Sequence, residues 1–517
     1  MHQHAANPVS ASASENSAQC RAESTYCNTS EQYFVPSDIK CKNVLNTESS
    51  ANMKPTTLHQ FPTGSMTSPV MLFNIIHSSQ NYNYQKCRIP VPSRLNISVW
   101  RHRLQSYSDY QVCDFLEFGW PINYMADTTP QSTHKNHGSA INHSHVIEDY
   151  ISKEISYGAT AGPFTADPLE GHLVISPLQT VPKKGTTSGE RRVVHDLSFP
   201  PAASVNHGIP KQSYLGVEFE LHYPTIDNFS TLIINKGPGC LMFKRDLRRA
   251  YRQIPVDPYD YNMLGFKWMD YTYFDTVLPF GLRSASMACQ RTTNAVVYAY
   301  EKLGYSAVNY IDDLASAEKP DIADQAYINL AELLASLGLE EAPDKAIPPT
   351  TQMVFVGILC DSVKMTLEVT PERLTDISAE LDQWLDKRKA TKRQIQSLVG
   401  KLNFVAKCVR PGRIFLSRIL QALCGLRRNS HFIYLNKEFR KDLLWWRKFM
   451  ANFNGVAMIK EQDKSVAVNL ATDACLQGAG GVYNNQFFTS PFPNHLLKQQ
   501  LHISALEFLT VVVAVKI

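Results

Sequence analysis

Hydrophobic and polar positions follow different periods in different parts of the chain. The first 86 residues are rich in Ser, Asn, Gln, Thr and Ala and have weak periodicity, which predicts a disordered or linker region at 1–86. From His172 onward, strand-like and helix-like patterns alternate. Two strands around a small-residue loop at 185–189 are predicted for LVISPLQTVPKK and GERRVVHDLSF. The next strand, predicted for GPGCLMFKRD, ends at Asp246.

The pattern after Gly281 continues the alternation. A helix with small residues along one face is predicted for SASMACQRTTNAVVYAYEKLG, and it stops at Gly304. A second helix over PDIADQAYINLAELLASLG is followed by a strand around MVFVGIL. A helical, basic segment then opens with TPERLTDISAELDQWLDKRK, and strand texture returns in SVAVNLATDACLQGAGGVY. The last stretch, HISALEFLTVVVAVKI, is predicted to be a helix.

The stretch VNYIDDLAS places Asp312 and Asp313 side by side within an apolar run. Burying two like charges is unfavourable unless something compensates them. These residues alone allow two interpretations: a hairpin turn whose aspartates face water, or two carboxylates held by a cation. A third aspartate, Asp246, ends the strand before LRRAYRQIPV. A carboxylate from one strand end and a pair from a neighbouring hairpin would suit the divalent cations of phosphoryl transfer.

Charge is unevenly distributed along the chain. The formal net charge of all 517 residues is only +4, yet residues 387–448 contain 17 Lys or Arg and two acids, Glu438 and Asp442. Such a block favours a polyanionic partner, and nucleic acid fits best. The eleven cysteines have no zinc-type spacing, and the first residues have no secretory pattern. No apolar run approaches a membrane span of about 20 residues. We therefore expect an intracellular protein (cytoplasm or nucleus) that is not secreted and binds no membrane.

Five segments resemble the motifs of reverse transcriptases, in the order of that family. They are VPKKGTTSGERRVVHDLS (fingers hairpin), FKRDLRRAYRQIPV (first palm motif), LPFGLRSASMACQ (palm helix), YIDD (paired aspartates) and PDKAIPPTTQMVFVGI (lysine turn and primer-side strand). Five motifs in order are far more specific than any one alone. With this resemblance, the cation interpretation of YIDD is favoured over the turn.

The resemblance implies roles for individual residues. Asp246 and Asp312 would be catalytic and would ligate both Mg²⁺ (or Mn²⁺) ions, and Asp313 would assist more weakly. Nucleotide-binding roles are implied for Lys183, Lys184, Arg192, Tyr251, Phe280, Gly281 and Lys345.

Three of these implied roles are specific. Tyr251 would exclude a 2′-hydroxyl, Lys345 would protonate the leaving pyrophosphate, and Arg192 would hold phosphates with one of the two lysines. Taken alone, Tyr251 would usually be a packed aromatic and Lys345 a surface charge. Phe280 departs from the glutamine of retroviral enzymes but matches the retrotransposon form.

Two further matches extend the resemblance to about residues 87–517. The stretch TKRQIQSLVGKLNFVAKCVRPGRIFLSRIL resembles a joining segment of DIRS-like retrotransposons, the class that integrates by a tyrosine recombinase. The segment LATDACLQGAGG, followed by ALEFL, resembles the start of a ribonuclease H domain. The resemblance implies that Asp473 and Glu507 would be two of its metal-binding carboxylates. Because the sequence stops soon after Glu507, we expect this domain to be truncated and ribonuclease H activity to be absent.

The expected fold class is α+β. It is a right-hand polymerase fold with fingers, a ferredoxin-like palm and a helical thumb or connection, followed by a partial α/β ribonuclease H-like domain. The expected domains are a disordered or linker region at 1–86, an N-terminal helical extension at 87–170, fingers and palm at 171–362, a basic helical thumb or connection at 363–460, and the truncated ribonuclease H-like domain at 465–517.

The resemblance implies an RNA-directed DNA polymerase of a retrotransposon. Such an enzyme adds dNTPs to a primer 3′-hydroxyl by two-metal nucleotidyl transfer, on an RNA and DNA template–primer duplex. Other regions of a retroelement polyprotein are expected partners. The main alternative is a catalytically inactive retroelement fragment that only binds nucleic acid, and the intact aspartates argue against it. An RNA-dependent RNA polymerase is disfavoured by Tyr251, and a stand-alone nuclease by the missing end of that domain.

Overall fold

The computed structural model of the protein describes residues 68–78, 89–183, 189–453, 457–458 and 470–516. Most of the region predicted to be disordered or a linker lies outside these ranges, as do Lys184 and the loop up to residue 188. Residues 68–78 form a helix that the weak periodicity of their region did not predict. Its Phe73 is buried within the largest hydrophobic cluster of the described chain.

The elements are numbered in chain order. The α-helices of the described ranges are α1 (Ser68–Ser78), α2 (Ile97–Arg103), α3 (Gln111–Phe118), α4 (Gly138–Ile141), α5 (Ser144–Ser156), α6 (Ile226–Lys236), α7 (Ala285–Glu301), α8 (Ala323–Ser336), α9 (Pro371–Asp386), α10 (Lys392–Val405), α11 (Ser417–Gln421), α12 (Lys437–Phe453), α13 (Asn494–Leu497) and α14 (Ile503–Lys516). The strands are β1 (Thr160–Phe164), β2 (Leu178–Pro182), β3 (Arg191–His195), β4 (Ser213–Tyr214), β5 (Val217–Glu218), β6 (Leu241–Asp246), β7 (Gly265–Trp268), β8 (Tyr271–Asp275), β9 (Ala307–Tyr310), β10 (Asp313–Glu318), β11 (Ile347–Thr350), β12 (Gln352–Phe355), β13 (Ile358–Asp361), β14 (Thr366–Val369), β15 (Lys389–Thr391), β16 (Phe432–Tyr434), β17 (Ala457–Met458), β18 (Leu470–Ala474), β19 (Gly478–Tyr483) and β20 (Gln486–Pro491).

The central sheet is antiparallel, with the strand order β11, β6, β10, β9. Side chains alternate between its two faces. Phe243 and Leu314 therefore enter one hydrophobic cluster, whereas Met242 and Ala315 enter another. Helix α7 contributes to the first cluster and helix α6 to the second. Because both faces are buried, a slip of β6 against β10 by one residue would exchange the two clusters, so the register is strongly specified.

Two predicted elements can be compared directly with this sheet. The strand predicted to end at Asp246 is β6, and it ends at that residue. The helix with the small-residue face is α7, whose Ala288, Ala295 and Ala299 are buried. It ends at Glu301, and Gly304 lies in the turn that follows, with a φ of 93°.

The single strand predicted around MVFVGIL is wrong in detail, because this stretch is a hairpin. Strands β12 and β13 are antiparallel, with Phe355 opposite Ile358 next to the turn and Gln352 opposite Asp361 at the far end. Val356 and Gly357 form the turn with φ values of 47° and 78°. Two consecutive positive φ angles are typical of the tight turns that match strand twist. The apolar run hid this turn, since Val is a poor residue for a left-handed position.

A buried ionic network joins helix α5 to the turn that follows β6 and to the end of β8. The Arg252 guanidinium contacts Glu154 and Asp275, each at 2.8 Å, and Arg249 contacts Glu154 at 2.6 Å. Burial alone would raise the pKa of the Asp275 carboxyl, but Arg252 and His195 bring it below its ordinary value. The region predicted as a helical extension is therefore tied to the polymerase-like core by charge as well as by packing.

The basic block folds against acidic side chains of its own region. Lys401 contacts Glu380 of α9 at 2.5 Å, and Arg447 contacts Asp382 at 2.7 Å. Arg418 pairs with the buried Asp442. Part of the positive charge that the sequence displays is thus neutralised within the fold. Among helices of the described residues, none combines the length and the apolar character needed to cross a bilayer.

Candidate active site

Antiparallel pairing brings Asp246 and Asp313 together. Asp246 is the last residue of β6, Asp313 is the first residue of β10, and the two stand directly opposite each other. Cross-strand partners point to the same face of a sheet, so the two carboxylates are neighbours. Asp312 precedes Asp313 in the β9–β10 hairpin, and its carbonyl accepts a hydrogen bond from the Leu247 amide at 3.0 Å. Three aspartates separated by up to 67 positions therefore meet at one end of the sheet.

Helix α7 holds the hairpin in an unusual backbone conformation. Ile311 has a φ of 57°, a left-handed conformation that is unfavourable for a β-branched residue. Its amide donates to Gln290 Oε1 at 2.8 Å, and Gln290 is fully buried. The Gln290 Nε2 group in turn donates to Asn294 Oδ1 at 2.8 Å. Asn309 donates to the same oxygen at 2.8 Å, so a polar network within the core fixes the hairpin.

The environment of Asp246 and Asp312 disfavours their ionised forms. Burial raises the pKa of the Asp246 carboxyl; the Lys345 ammonium opposes this shift and the Asp313 carboxylate adds to it. Burial also raises the pKa of Asp312, and the charge of Asp246 raises it further. Three negative charges at neutral pH are therefore unfavourable here, and a bound cation would relieve their repulsion.

Two lysines partly neutralise the cluster. Lys345 Nζ lies 2.9 Å from Asp246 Oδ1, and Lys244 Nζ lies 3.0 Å from Asp313 Oδ1. Burial acts to lower the pKa of Lys345, but the hydrogen bond to Asp246 and the charges of Asp246, Asp312 and Asp313 together raise it, so the ammonium stays charged. Each lysine occupies a carboxylate oxygen that a cation could otherwise use.

The donor set suits a hard divalent cation. With the lysines in place, no group of three or more His, Cys, Asp or Glu side chains in the described ranges is gathered as a metal site. Carboxylate oxygens are nevertheless the ligands that Mg²⁺ and Mn²⁺ take in proteins. Asp246, Asp312 and Asp313 are the residues of this site that would hold such an ion.

Aromatic and cationic side chains gather beside the carboxylates. The rings of Tyr251 and Phe280 lie 5.2 Å apart, and the Arg192 guanidinium lies 5.1 Å from the centre of the Phe280 ring. Burial raises the pKa of the Tyr251 hydroxyl, and the charge of Asp312 also acts on it, so this group adjoins the hairpin. The arrangement forms a wall of flat side chains next to three acidic groups.

Gly281 occupies a place where no other residue fits without movement. Its φ is 118°, and a Cβ there would lie 1.9 Å from the His195 carbonyl oxygen. The His195 amide donates to the Phe280 carbonyl at 2.9 Å, and Asn206 Nδ2 donates to the Gly281 carbonyl at 2.7 Å. Close backbone packing against β3 therefore presents the Phe280 ring towards Tyr251 and Arg192.

Comparison with known families agrees with this geometry. Residues 204–359 match the family model described as reverse transcriptase (RNA-dependent DNA polymerase). The chain contains a reverse transcriptase domain. All three aspartates fall within the matched residues, as do Tyr251 and Lys345.

The relatives of this reverse transcriptase domain are segments of long polyproteins. Polyprotein P3 of Commelina yellow mottle virus is 23% identical over 259 residues, which are 50% of this chain and 13% of that polyprotein. The genome polyprotein of Petunia vein clearing virus is 26% identical over 181 residues, which are 35% of this chain and 8% of that polyprotein. The match thus spans only a small part of either relative.

The fold around the reverse transcriptase domain is also found in a solved structure. A foamy viral protease–reverse transcriptase in complex with double-stranded DNA aligns with a TM-score of 0.51 and 15% sequence identity. The alignment covers 90% of this chain and 74% of that one. The chain therefore has a polymerase fold of mixed helices and sheets.

Phe280 and Gly281 also lie within the matched range of the reverse transcriptase domain, whereas Lys183, Lys184, Arg192, Asp473 and Glu507 lie outside it. Lys183 follows β2, and its ammonium lies 2.9 Å from Glu190. Lys184 is outside the described residues. Asp473 is an exposed residue of β18, and Glu507 is an exposed residue of α14, which packs against β18. The strand and the helix that carry these two acids pack together, but both side chains are exposed to solvent.

Sequence reasoning missed the residues that support the reverse transcriptase site. Gln290 ends the quoted palm-helix motif, and Thr293 and Asn294 lie three and four positions later, on the same helical face. Polar residues at this spacing inside a buried helix are a signal of a buried hydrogen-bond network. Lys244 had no such signal, since only the β6–β10 register reveals that it reaches Asp313.

Proposed function

We propose that this chain is an RNA-directed DNA polymerase of a retrotransposon, which adds deoxynucleotides to a primer 3′-hydroxyl. The observation that carries the proposal is the opposition of Asp246 and Asp313 across β6 and β10, with Asp312 beside them. The pKa values of Asp246 and Asp312 are raised, and Asp313 stands beside them in the same reverse transcriptase domain. They are suited to bind divalent cations at the reacting phosphate.

The roles of the site residues follow from their chemistry. Mg²⁺ or Mn²⁺, when bound, would activate the attacking oxygen and stabilise the leaving one. Asp246 and Asp312 would hold the cations, and Asp313 would assist. Lys345 retains its proton because of Asp246, so it is a charged acid from which a leaving pyrophosphate could accept a proton.

We assign selection of the nucleotide to the group formed by Tyr251, Phe280 and Arg192. The face of Tyr251 would stack under the sugar, leaving no space for a 2′-hydroxyl. Phe280 and Gly281 would line the pocket, and Arg192, together with Lys183 or Lys184, would hold the triphosphate. The stacking of Arg192 on Phe280 supports this role, because it points a charged guanidinium at the pocket without burying it.

The architecture proposed is that of a right hand. Residues 171–362 would form the fingers and a ferredoxin-like palm, with the central sheet and helices α6 and α7 on its two faces as support. Residues 363–460 would form the thumb or connection and grip a template–primer duplex through basic side chains. Residues 87–170 would be the N-terminal extension.

The assignments beyond the polymerase rest on sequence motifs. Residues 465–517 are proposed to be ribonuclease H-like, with Asp473 and Glu507 as metal-binding carboxylates; the packing of α14 on β18 supports this. The DIRS-like origin rests on the joining segment, and other regions of a polyprotein are proposed as partners.

Primer extension by the Asp312→Asn variant tests the proposal. Purified protein with poly(rA)/oligo(dT), dTTP and Mg²⁺ is expected to extend the primer, and the variant is expected to lose at least about 1,000-fold in rate. Its affinity for the template–primer should stay within about twofold, because the basic block is unchanged. In EDTA the variant should melt above the wild type, since the raised pKa of Asp312 makes its charge unfavourable to folding.

The matched control is Asp321→Asn, an exposed aspartate outside the carboxylate cluster, which should extend at the wild-type rate. Extension by Asp312→Asn at the wild-type rate would refute the assignment of the aspartates. Wild-type protein that binds the template–primer without extending it, in either Mg²⁺ or Mn²⁺, would favour the alternative of an inactive nucleic-acid-binding fragment.

A further inference from the structure

Strands β15 and β16 form a two-stranded ribbon far along the chain from the reverse transcriptase domain. Ala390 pairs with Ile433, and both side chains turn inward to the second hydrophobic cluster. The adjacent pairs must then turn outward, because side chains of a strand alternate between faces. Phe432 and Tyr434 accordingly project to the side that faces away from the core, and Lys389 stands opposite Tyr434.

The exposure of these two rings is unusual. Phe432 is 50% exposed and Tyr434 is 74% exposed. Their ring centres lie 5.9 Å apart at 83°, so they form one continuous aromatic surface. Single exposed apolar residues are common, whereas adjacent exposed rings such as these two on β16 form a contiguous patch of the kind that can mark an interaction site.

Positive charge surrounds the rings. We name residues 387–393 and 427–434 the aromatic–basic ribbon; it contains seven Lys or Arg and no Asp or Glu. The Lys389 Nζ lies 5.0 Å from the centre of the Phe432 ring. Arg427 and Arg428 are exposed. This contrasts with Lys401, whose charge is matched by an acid of the same region.

A cleft of about 360 Å³ adjoins the ribbon. Its lining includes Tyr434, Ile433, Phe439 and Gln421. Arg418 also lines it, but that guanidinium is paired with Asp442 and Glu438. The cleft therefore offers apolar side chains, two amides (Gln421 and Asn436) and the paired Arg418 and Glu438 rather than an uncommitted cation, which suits a base better than a phosphate.

We propose that the aromatic–basic ribbon binds single-stranded nucleic acid, with unpaired bases stacked on Phe432 and Tyr434 and phosphates beside its arginines and lysines. Stacked aromatics flanked by positive charge are the combination that binds single strands without sequence preference. Duplex bases are already stacked on each other and do not offer their faces. This goes beyond the proposed function, which requires a template–primer duplex at the carboxylates.

Fluorescence anisotropy of the full chain tests the ribbon. The ligands are labelled oligo(dT) and oligo(rU) of about 12 nucleotides and a blunt duplex of equal length. EDTA is present throughout, so the carboxylate site takes no part. The variant Phe432→Ala/Tyr434→Ala should raise the Kd for both single strands at least about tenfold and change the duplex Kd less than about twofold.

Three further variants separate stacking from general damage. Phe432→Trp/Tyr434→Trp keeps the aromatic faces and should bind single strands as the wild type does. Phe487→Ala removes another ring, 79% exposed, from β20 and should have no effect on binding. Arg427→Ala/Arg428→Ala should lower the slope of log K against log salt by about 1.4, which is 0.7 for each lost phosphate contact.

The ribbon proposal is overturned if the double alanine variant binds single strands normally, or if it loses duplex binding to the same degree. It is also overturned if Phe487→Ala weakens binding equally, or if light scattering shows that the rings instead join two copies of the chain. Asp312→Asn should bind single strands like the wild type. The ribbon and the polymerase assignment can therefore fail separately.

Discussion

Gln290 is expected to control the catalytic hairpin without touching a substrate. In the Gln290→Leu variant the part-buried Ile311 amide loses its partner, the fully buried Gln290 side chain, which costs about 1–3 kcal/mol. Gln290 also donates to Asn294 Oδ1 at 2.8 Å, but that oxygen keeps its hydrogen bond from Asn309 in the variant. The contact of Gln290 with the Asn309 carbonyl is 3.4 Å long and contributes little. We expect the free energy of unfolding to fall by about 2 kcal/mol.

The effect on activity should exceed the effect on folding. Ile311 is held at a φ of 57°, a conformation that costs about 1–2 kcal/mol for a side chain of this kind. Without the hydrogen bond from its amide to Gln290, Ile311 can relax towards an ordinary conformation and move Asp312 with it. Misplacement of a catalytic group by about 1 Å costs about 100-fold in rate, so primer extension should fall by that order.

Urea denaturation and steady-state primer extension measure the two effects separately. The control is Gln325→Leu, the same chemical change at an exposed position of α8 whose amide bonds only Asn329. Its stability should stay within about 0.5 kcal/mol of the wild type. If Gln290→Leu were destabilised by about 2 kcal/mol yet extended primers at the wild-type rate, Gln290 would be a packing residue and the reasoning would be refuted.

Two further predictions concern the nucleotide pocket and a buried acid. Replacement of Tyr251 by Val should open space for a 2′-hydroxyl, so kcat/KM for ribonucleotides relative to deoxynucleotides should rise at least about tenfold. Burial raises the pKa of Asp260 to about 7, although its carboxyl accepts a hydrogen bond from the Ile122 amide at 2.8 Å. Because the folded state binds this proton more tightly than the unfolded state does, the carboxyl stabilises the fold at low pH. This stabilisation is lost as the pH rises through 7. Asp260→Asn, which keeps the acceptor, should match the wild type near pH 4 and exceed its stability by about 2 kcal/mol near pH 8, once solvent screening of this partly exposed group is allowed for.

Matched changes at exposed sites serve as controls for both. Tyr271→Val should leave sugar discrimination unchanged, and a Tyr251 variant that still rejects ribonucleotides as strongly as the wild type would mean that Tyr251 only packs. Asp270→Asn, the same chemical change at an exposed position, should leave the free energy of unfolding within about 0.5 kcal/mol of the wild type. An Asp260→Asn variant that is less stable than the wild type at pH 8 would contradict the raised pKa.

The sequence pattern alone was sufficient to predict elements whose bounds depend on neighbouring residues in the chain. The end of β6 at Asp246 and the extent of α7 follow from an apolar run that meets a charge and from small residues at helical spacing. The role of YIDD did not follow from its residues alone, because a hairpin turn accounts for adjacent aspartates equally well. Only the order of five motifs favoured the cation site.

Contacts that depend on register or on backbone geometry had no local signal. That Lys244 reaches Asp313 depends on the pairing of β6 with β10, which joins residues far apart in the chain. The close approach of Gly281 to His195 depends on how β3 meets the Phe280 loop. The turn at Val356 was missed because apolar residues fill it, against the usual preference of turns.

The two lysines that rest on the carboxylates make cation binding an exchange rather than an addition. In the proposed mechanism, an ion that used the Asp246 and Asp313 oxygens contacted by Lys345 and Lys244, at 2.9 Å and 3.0 Å, would have to displace those ammonium groups. Its apparent affinity is therefore lower than that of the same three aspartates without internal competitors. A displaced Lys345 would then be available as the acid of the proposed mechanism only after the metal had bound. Occupancy of the site and readiness of its proton donor are thereby coupled through a single hydrogen bond.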